Sequence, residues 1–314
     1  MSEYKVIIAG QLEFGSQRAY NQVMEQYAHR MENYYKNDIL LKPETIFKED
    51  ELTLDVPRTV LPSTERLWLN TLNLLERVVT FSIAGSLNLW RLDAGVMVDH
   101  HKLEPKSDRT TVQLFNRGRE LVDQRDNEEE ALKMMTKVVS RFERHAQAYE
   151  RRGFVNYRLG NDTDALYDYT KSISINPLMP ESYYGRGLVH VRQGRTAEAA
   201  SDFEAVTRNS IPHQAIYWMA QVALGDAYQE LGRHADAMRI FSMFTKRKQK
   251  IATLDRYDRR VAFQLGQLYA RAGRAKDAEQ AYERALRAAA DHKAPSEERI
   301  EQEISKLKTP SAGS

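Results

Sequence analysis

Arg152 to Pro177 reads RGFVNYRLGNDTDALYDYTKSISINP. One apolar and aromatic stretch runs to Gly160, a polar turn follows, and a second stretch at helical spacing runs to Pro177. Two helices joined at a glycine and closed by a proline account for this order. Glycine supplies the positive φ that ends a helix, and proline cannot continue one.

The spacing recurs downstream. Taking Gly153, Gly187, Gly225 and Gly266 as anchors, a second glycine stands seven residues later at Gly160, Gly194, Gly232 and Gly273. Twelve residues after each anchor stands Ala165, Ala199, Ala237 or Ala278, and sixteen after it Tyr169, Phe203, Phe241 or Tyr282. The first interval is 34 residues, and the next two are 38 and 41. Small anchor and Ala residues let two helices approach closely, and the aromatic is expected to fill the space between one hairpin and the next. A lone helical hairpin cannot bury both its faces, so the units must stack.

These units resemble tetratricopeptide repeats over about residues 112–290. Pro177 stands where that family often closes its second helix, and Tyr228 and Tyr269 hold its aromatic place after the anchor. Asn156 and His190 depart from that place. Gly118 anchors a degenerate first repeat: Ala131 is one position late, Arg125 replaces the second glycine, and DNEEE (126–130) makes a longer turn. The longer later intervals predict extended helices or loops near Asn209 to Gln214 and Lys246 to Asp255. After Pro295, Ser296 is expected to cap a final amphipathic helix, Glu297 to Leu307, that closes the array.

Residues 1–105 lack this period. Lys5 to Ala9 reads as a strand, and Ser16 to Tyr35 as a helix with Tyr20, Val23, Met24, Tyr27, Met31, Tyr34 and Tyr35 on its spacing. Residues 39–62 look extended, with Pro43, Pro57 and Pro62 pointing to edge or irregular segments. Ser63 is a candidate N-cap for a helix carrying Leu67, Trp68, Leu72, Leu75 and Val79. From Thr80 the period becomes two, and Asp93-Ala94-Gly95 reads as a hairpin turn. The expected order is β-α-β-α-β-β with helices on one face of a sheet.

The fold class is thus an α+β N-terminal domain followed by an all-α TPR superhelix, a right-handed helical-hairpin solenoid. The expected divisions are 1–105 for the α+β domain and 106–111 for a linker. Residues 112–294 hold the array of one degenerate and four clear repeats, 295–308 a capping helix and 309–314 a disordered tail.

Composition narrows the function classes. The absence of cysteine excludes disulfides and thiolate catalysis. Residues 1–109 carry 13 basic and 16 acidic side chains and the remainder 33 and 28, too small an asymmetry to mark a nucleic-acid module. The opening MSEYKVIIAGQLEFG has an apolar run far shorter than a signal peptide's, and no stretch is long and apolar enough to span a membrane. A cytoplasmic protein is expected. No phosphate-binding loop or nucleophile elbow occurs, and no cofactor is expected.

The resemblance places a partner on the inner wall formed by the first helix of each pair. Its inward positions hold Arg119, Phe154, Tyr157, Arg158, Tyr184, Leu188, Arg192, Asp226 and Gln229, along with Gln147, Glu150, Glu181, Glu230, Arg260, Gln267 and Arg271. Exposed Tyr and Arg often carry binding energy. The functional reading is a groove for an extended peptide or partner helix bearing acidic groups. The competing reading makes Phe154, Tyr157 and Leu188 helix packing and the arginines solvated surface. Chaperone C-terminal tails are disfavoured, because no repeat carries the paired Lys and Asn of the family's tail clamp.

A second contact, or self-association, falls to the N-terminal domain. An alternative makes that domain an enzyme, with Glu49, Asp50, Glu51, His100 and His101 as raw material. A third assigns RNA contact to the basic 246–260 segment, against a solvated helix end. No metal is expected, since adjacent His100 and His101 on a strand point to opposite faces.

Overall fold

The computed structural model describes residues 4–107, 109–124, 126–289 and 294–308. The chain folds into two compact units, Met1–Arg186 and Gly187–Ser314.

The first unit begins with an antiparallel sheet. Strand β1 (Tyr4–Glu13) leads through α1 (Gln17–Asn33) and a single turn, α2 (Pro43–Ile46), to β2 (Phe47–Lys48) and β3 (Thr53–Ser63). Helix α3 (Glu65–Val79) then precedes β4 (Ala84–Asp93) and β5 (Val96–Leu103). The sheet order is β2-β3-β1-β4-β5, with every pair antiparallel. Val6, Ile8 and Leu12 of β1 alternate onto the helix side and meet Tyr20, Val23 and Tyr27 of α1 and Trp68, Leu72 and Leu75 of α3.

Two details depart from expectation. Thr64 caps α3, accepting from the Leu67 N–H, while Ser63 ends β3. The 39–62 stretch is not irregular throughout: after α2, which starts at Pro43, and the two-residue β2, the long strand β3 runs through both Pro57 and Pro62. Pro57 is accommodated because the β1–β3 register shifts between Ile8 and Gly10, next to its place. Pro62 sits on the side of β3 that β2 leaves uncovered, where a missing donor costs nothing. Ser16 caps α1, and Ala94 and Gly95 both take positive φ in the β4–β5 turn, as two-residue hairpins require.

Helical hairpins follow. They are α4 (Thr110–Asp123) with α5 (Glu128–Arg141), α6 (Ala146–Leu159) with α7 (Asp162–Ile175), and α8 (Pro180–Arg192) with α9 (Thr196–Asn209). Next come α10 (Ala215–Glu230) with α11 (His234–Thr245) and α12 (Asp255–Arg271) with α13 (Ala275–Arg287), closed by α14 (Glu297–Lys308). In the degenerate repeat Asp126 takes the positive φ, while Arg125 lies outside the described residues. The tail at 309–314 also lies outside them. Helices α10 and α12 run to 16 and 17 residues, and a 3₁₀ turn at Ala252–Leu254 takes up more of the long interval.

The aromatic of each repeat has a neighbour besides the expected one. It packs on the anchor glycine of its own hairpin: a Cβ on Gly225 would lie 2.3 Å from Phe241, and one on Gly266 2.5 Å from Tyr282. Tyr169 also lies against the next helix, where a Cβ on Gly185 would meet its ring at 2.2 Å. The anchor is therefore small to admit a ring, not only a helix backbone.

Helix α14 ends the array by burying Ile300 completely, with Ile304 and Leu307 beside it, against Tyr282 and Ala285 of α13. Ser296 caps it through the Arg299 N–H. Ile300→Ala is expected to destabilise the second unit by about 2–4 kcal/mol through the cavity it leaves. Urea denaturation followed at Trp218 checks this.

Candidate partner-binding surface

Repeat spacing assigns the inner-wall positions, and the structure shows what each side chain does. Arg119 donates to Glu104 at 2.8 Å, so it holds the segment entering α4. Arg158 donates to the Val122 carbonyl at 3.1 Å and pairs with Glu128, clasping the preceding hairpin. Asp226 accepts from Arg260 at 2.8 Å and from Gln264 at 2.9 Å. These three are ties between successive elements.

The remaining positions have another character. Phe154 is half-buried against the core of the first hairpins, with Arg158 over its ring. Tyr157 and Tyr184 are half-buried in the first unit. In the second unit Leu188 is half-buried and Arg192 exposed. The Gln229 side-chain nitrogen is buried without a hydrogen-bond partner among the described residues. Glu150, on the inner wall of α6, is buried beside Arg151 at 3.3 Å, and burial raises its carboxyl above the usual range.

The first unit also reveals what sequence spacing missed. The Gly85 N–H donates to the Gln147 side chain at 3.2 Å, so the sheet meets an inner-wall position of α6. Arg144, between α5 and α6, makes two 3.1 Å bonds to Glu13 at the end of β1 and a 3.3 Å bond to Glu51. A second network holds α6 to α7. Arg152 donates to Asp168 at 2.7 Å, and the Asn156 side chain donates to the same carboxylate at 3.1 Å, with Asp168 almost fully buried. A signal for part of this was present. Arg precedes the anchor in Arg117-Gly118, Arg152-Gly153 and Arg186-Gly187. Arg152 and Arg186 each donate to a Thr sixteen residues back, Thr136 at 3.2 Å and Thr170 at 3.4 Å.

The raw material of the other readings is dispersed. His100 stacks flat on Trp90 and His101 packs beside Trp68 on the opposite face of β5. Among the described residues no group of three or more metal-ligating side chains forms. A cleft of about 570 Å³ between α1 and α3 is lined by Gln26, Asn73, Glu76 and Arg77 and holds none of Glu49, Asp50, Glu51, His100 or His101. In the basic run Arg247 turns inward, bonding Asp258 at 2.6 Å and covering the Phe244 ring, while Lys246, Lys248 and Lys250 are exposed. No described helix is long and apolar enough to cross a membrane.

The folded pattern is an antiparallel sheet region followed by stacked helical hairpins. Family models described as tetratricopeptide repeat match residues 115–180, 184–250 and 260–292, and the chain belongs to that family. The N-terminal region is matched by none. A comparison with curated proteins returns no match. Among solved structures, PilF of Pseudomonas aeruginosa is similar with a TM-score of 0.51 at 17% identity, covering 64% of this chain and 83% of its own. MamA of Desulfovibrio magneticus RS-1 gives 0.47 at 18% identity, covering 58% of this chain and 96% of its own. At these identities the likeness concerns the fold.

Proposed function

We propose that the protein is a non-enzymatic, cytoplasmic adaptor whose repeats hold a protein or peptide partner, with the N-terminal α+β region as a second contact or a site of self-association. Membership of the repeat family supports the interaction role. The observation that carries the site is a run of partly exposed aromatic rings, Phe154, Tyr157 and Tyr184, at inner-wall positions of α6 and α8, beside Arg119 and Arg158, which tie neighbouring elements together. Rings of this kind give large contact area at small entropic cost. Arg192 and Gln229 supply polar recognition in the second unit, Arg192 favouring acidic groups on the partner.

The test is a pull-down with the full chain and a Tyr157→Ala/Tyr184→Ala variant. Loss of about 2 kcal/mol, roughly thirtyfold in affinity for the captured partner, is expected with the melting profile retained. Equal capture by the folded double variant would remove the aromatic site. Arg192→Glu is expected to weaken capture of an acidic partner further.

A further inference from the structure

The sheet meets the first hairpins through polar ties, Gly85 to Gln147 and Glu13 to Arg144, and this contact contains two ionisable groups that the repeat fold does not require. Glu13 closes β1 with its side chain only 4% exposed, between Arg144 of the α5–α6 turn and the acids Glu51 and Asp55 from the β3 side. Gln11 and Thr53 are the uncharged polar groups beside it on the sheet, both buried. His145 follows Arg144 in the chain and is fully enclosed. It shares a void with Ile83, just before β4, Ala84 of β4, Phe115 of α4 and Gln147 of α6. The charged groups lining that void, Glu104 and Arg119, are paired with each other.

We propose that this joint is a proton-buffered latch, closing and opening as a unit, with Glu13 and His145 as two opposed sensors whose responses offset each other in the intact protein.

The chemistry of each sensor follows from its partners. Glu13 loses its water on closing, and burial outweighs the Arg144 guanidinium, so its carboxyl is pushed up to about 7. Closing therefore takes up a proton, and this contribution is full below about pH 4.5 and is lost as pH rises through about 7. His145 behaves in reverse. Its Nδ1 accepts from the Ala148 N–H at 3.3 Å, capping α6, which leaves the ring proton on Nε2. A second proton on Nδ1 would break the cap and face the positive end of the helix. Burial holds the imidazole neutral, down to about 3, so closing sheds a proton and weakens as pH falls below about 6.5. Between these limits the two couplings oppose each other, and the joint stays shut with nearly constant strength.

The Gly85 amide reports the joint directly, because its hydrogen bond crosses to Gln147. Hydrogen exchange at Gly85 in the full chain, corrected for intrinsic rate, is compared at pH 8 and 5.5. If opening restores both groups to their ordinary values, protection in the wild type changes by no more than about threefold. In Glu13→Gln it falls about tenfold on acidification, and in His145→Asn, where Asn keeps a capping oxygen, it rises roughly 25-fold. Adding Arg144→Gln to His145→Asn moves the midpoint of that rise to higher pH. This variant keeps the test open if Glu13→Gln does not fold. Same-direction or absent shifts in the two single variants overturn the latch. So does exchange of Gly85 in step with Leu87 and Leu89 of the β1–β4 ladder, which would mean that the sheet unfolds rather than undocks.

Discussion

Gly85→Ala is expected to destabilise the sheet by at least about 3 kcal/mol, with broadened or early loss of the Trp68 and Trp90 signals. Gly85 sits at a φ of +95°, and a Cβ there would stand 2.1 Å from the Gln11 carbonyl oxygen. Backbone cannot swing aside as a side-chain end can. The opposite strand repeats the arrangement, since a Cβ on Gly10, at a φ of +136°, would stand 2.1 Å from the Ser86 carbonyl oxygen. These glycines lie close together on one ladder, where Gly10 faces Leu87 and Gly85 faces Leu12. The β1–β4 pair is central in the sheet, so its loss removes the floor on which α1 and α3 pack. Gly95→Ala is the control. Its φ is +82° but nothing lies within 4 Å, so only the left-handed strain of about 1 kcal/mol applies. Denaturation of the full chain by urea, read at the tryptophans, separates the two. Equal midpoints for the Gly85 and Gly95 variants would show that the strands yield.

The glycines illustrate what the sequence discloses and what it withholds. Repeat glycines are legible because the same offset recurs four times and offsets carry geometry. Gly10 and Gly85 occur once each, and their role depends on a pairing between strands whose glycines stand 75 residues apart in the chain. The strand through Pro57 and Pro62 is obscured for a similar reason. Whether a strand tolerates proline depends on a register shift and on which edge is free. On the inner wall, spacing states the direction in which Arg119, Arg158 and Asp226 point but not who meets them there. Their partners stand 15 to 38 residues away on neighbouring elements. The Glu13–Arg144 contact spans 131 residues and has no local signature at all. By contrast the His100-His101 pair reads correctly as facing opposite ways, because strand alternation is local.

Asp168→Ala is expected to cost about 3–5 kcal/mol, more than any single groove substitution. Asp168 is 1% exposed and accepts from Arg152 through both oxygens, at 2.7, 3.0 and 3.2 Å, and from Asn156 at 3.1 Å. Truncation leaves the Arg152 guanidinium, whose side chain is 17% exposed, without its counter-ion. It also strips an acceptor from the buried Asn156 amide. This does not make the ion pair a large net stabiliser. Burial raises the Asp168 carboxyl above its usual range in spite of Arg152 and Asn156, so the desolvation of the acid exceeds what its partners return. Replacing the pair together, as Arg152→Met/Asp168→Leu, is therefore expected to recover most of the loss, within about 1–2 kcal/mol of wild type. A double variant as unstable as Asp168→Ala would show instead that the charges themselves hold α6 to α7. If the recovery occurs, the network's role is to set how these two helices meet: Arg152 spans from Thr136 of the preceding hairpin to Asp168 of its own, fixing the register of one repeat upon the next. That register in turn positions Phe154 and Tyr157, on the same helix as Arg152, the rings we propose for partner contact.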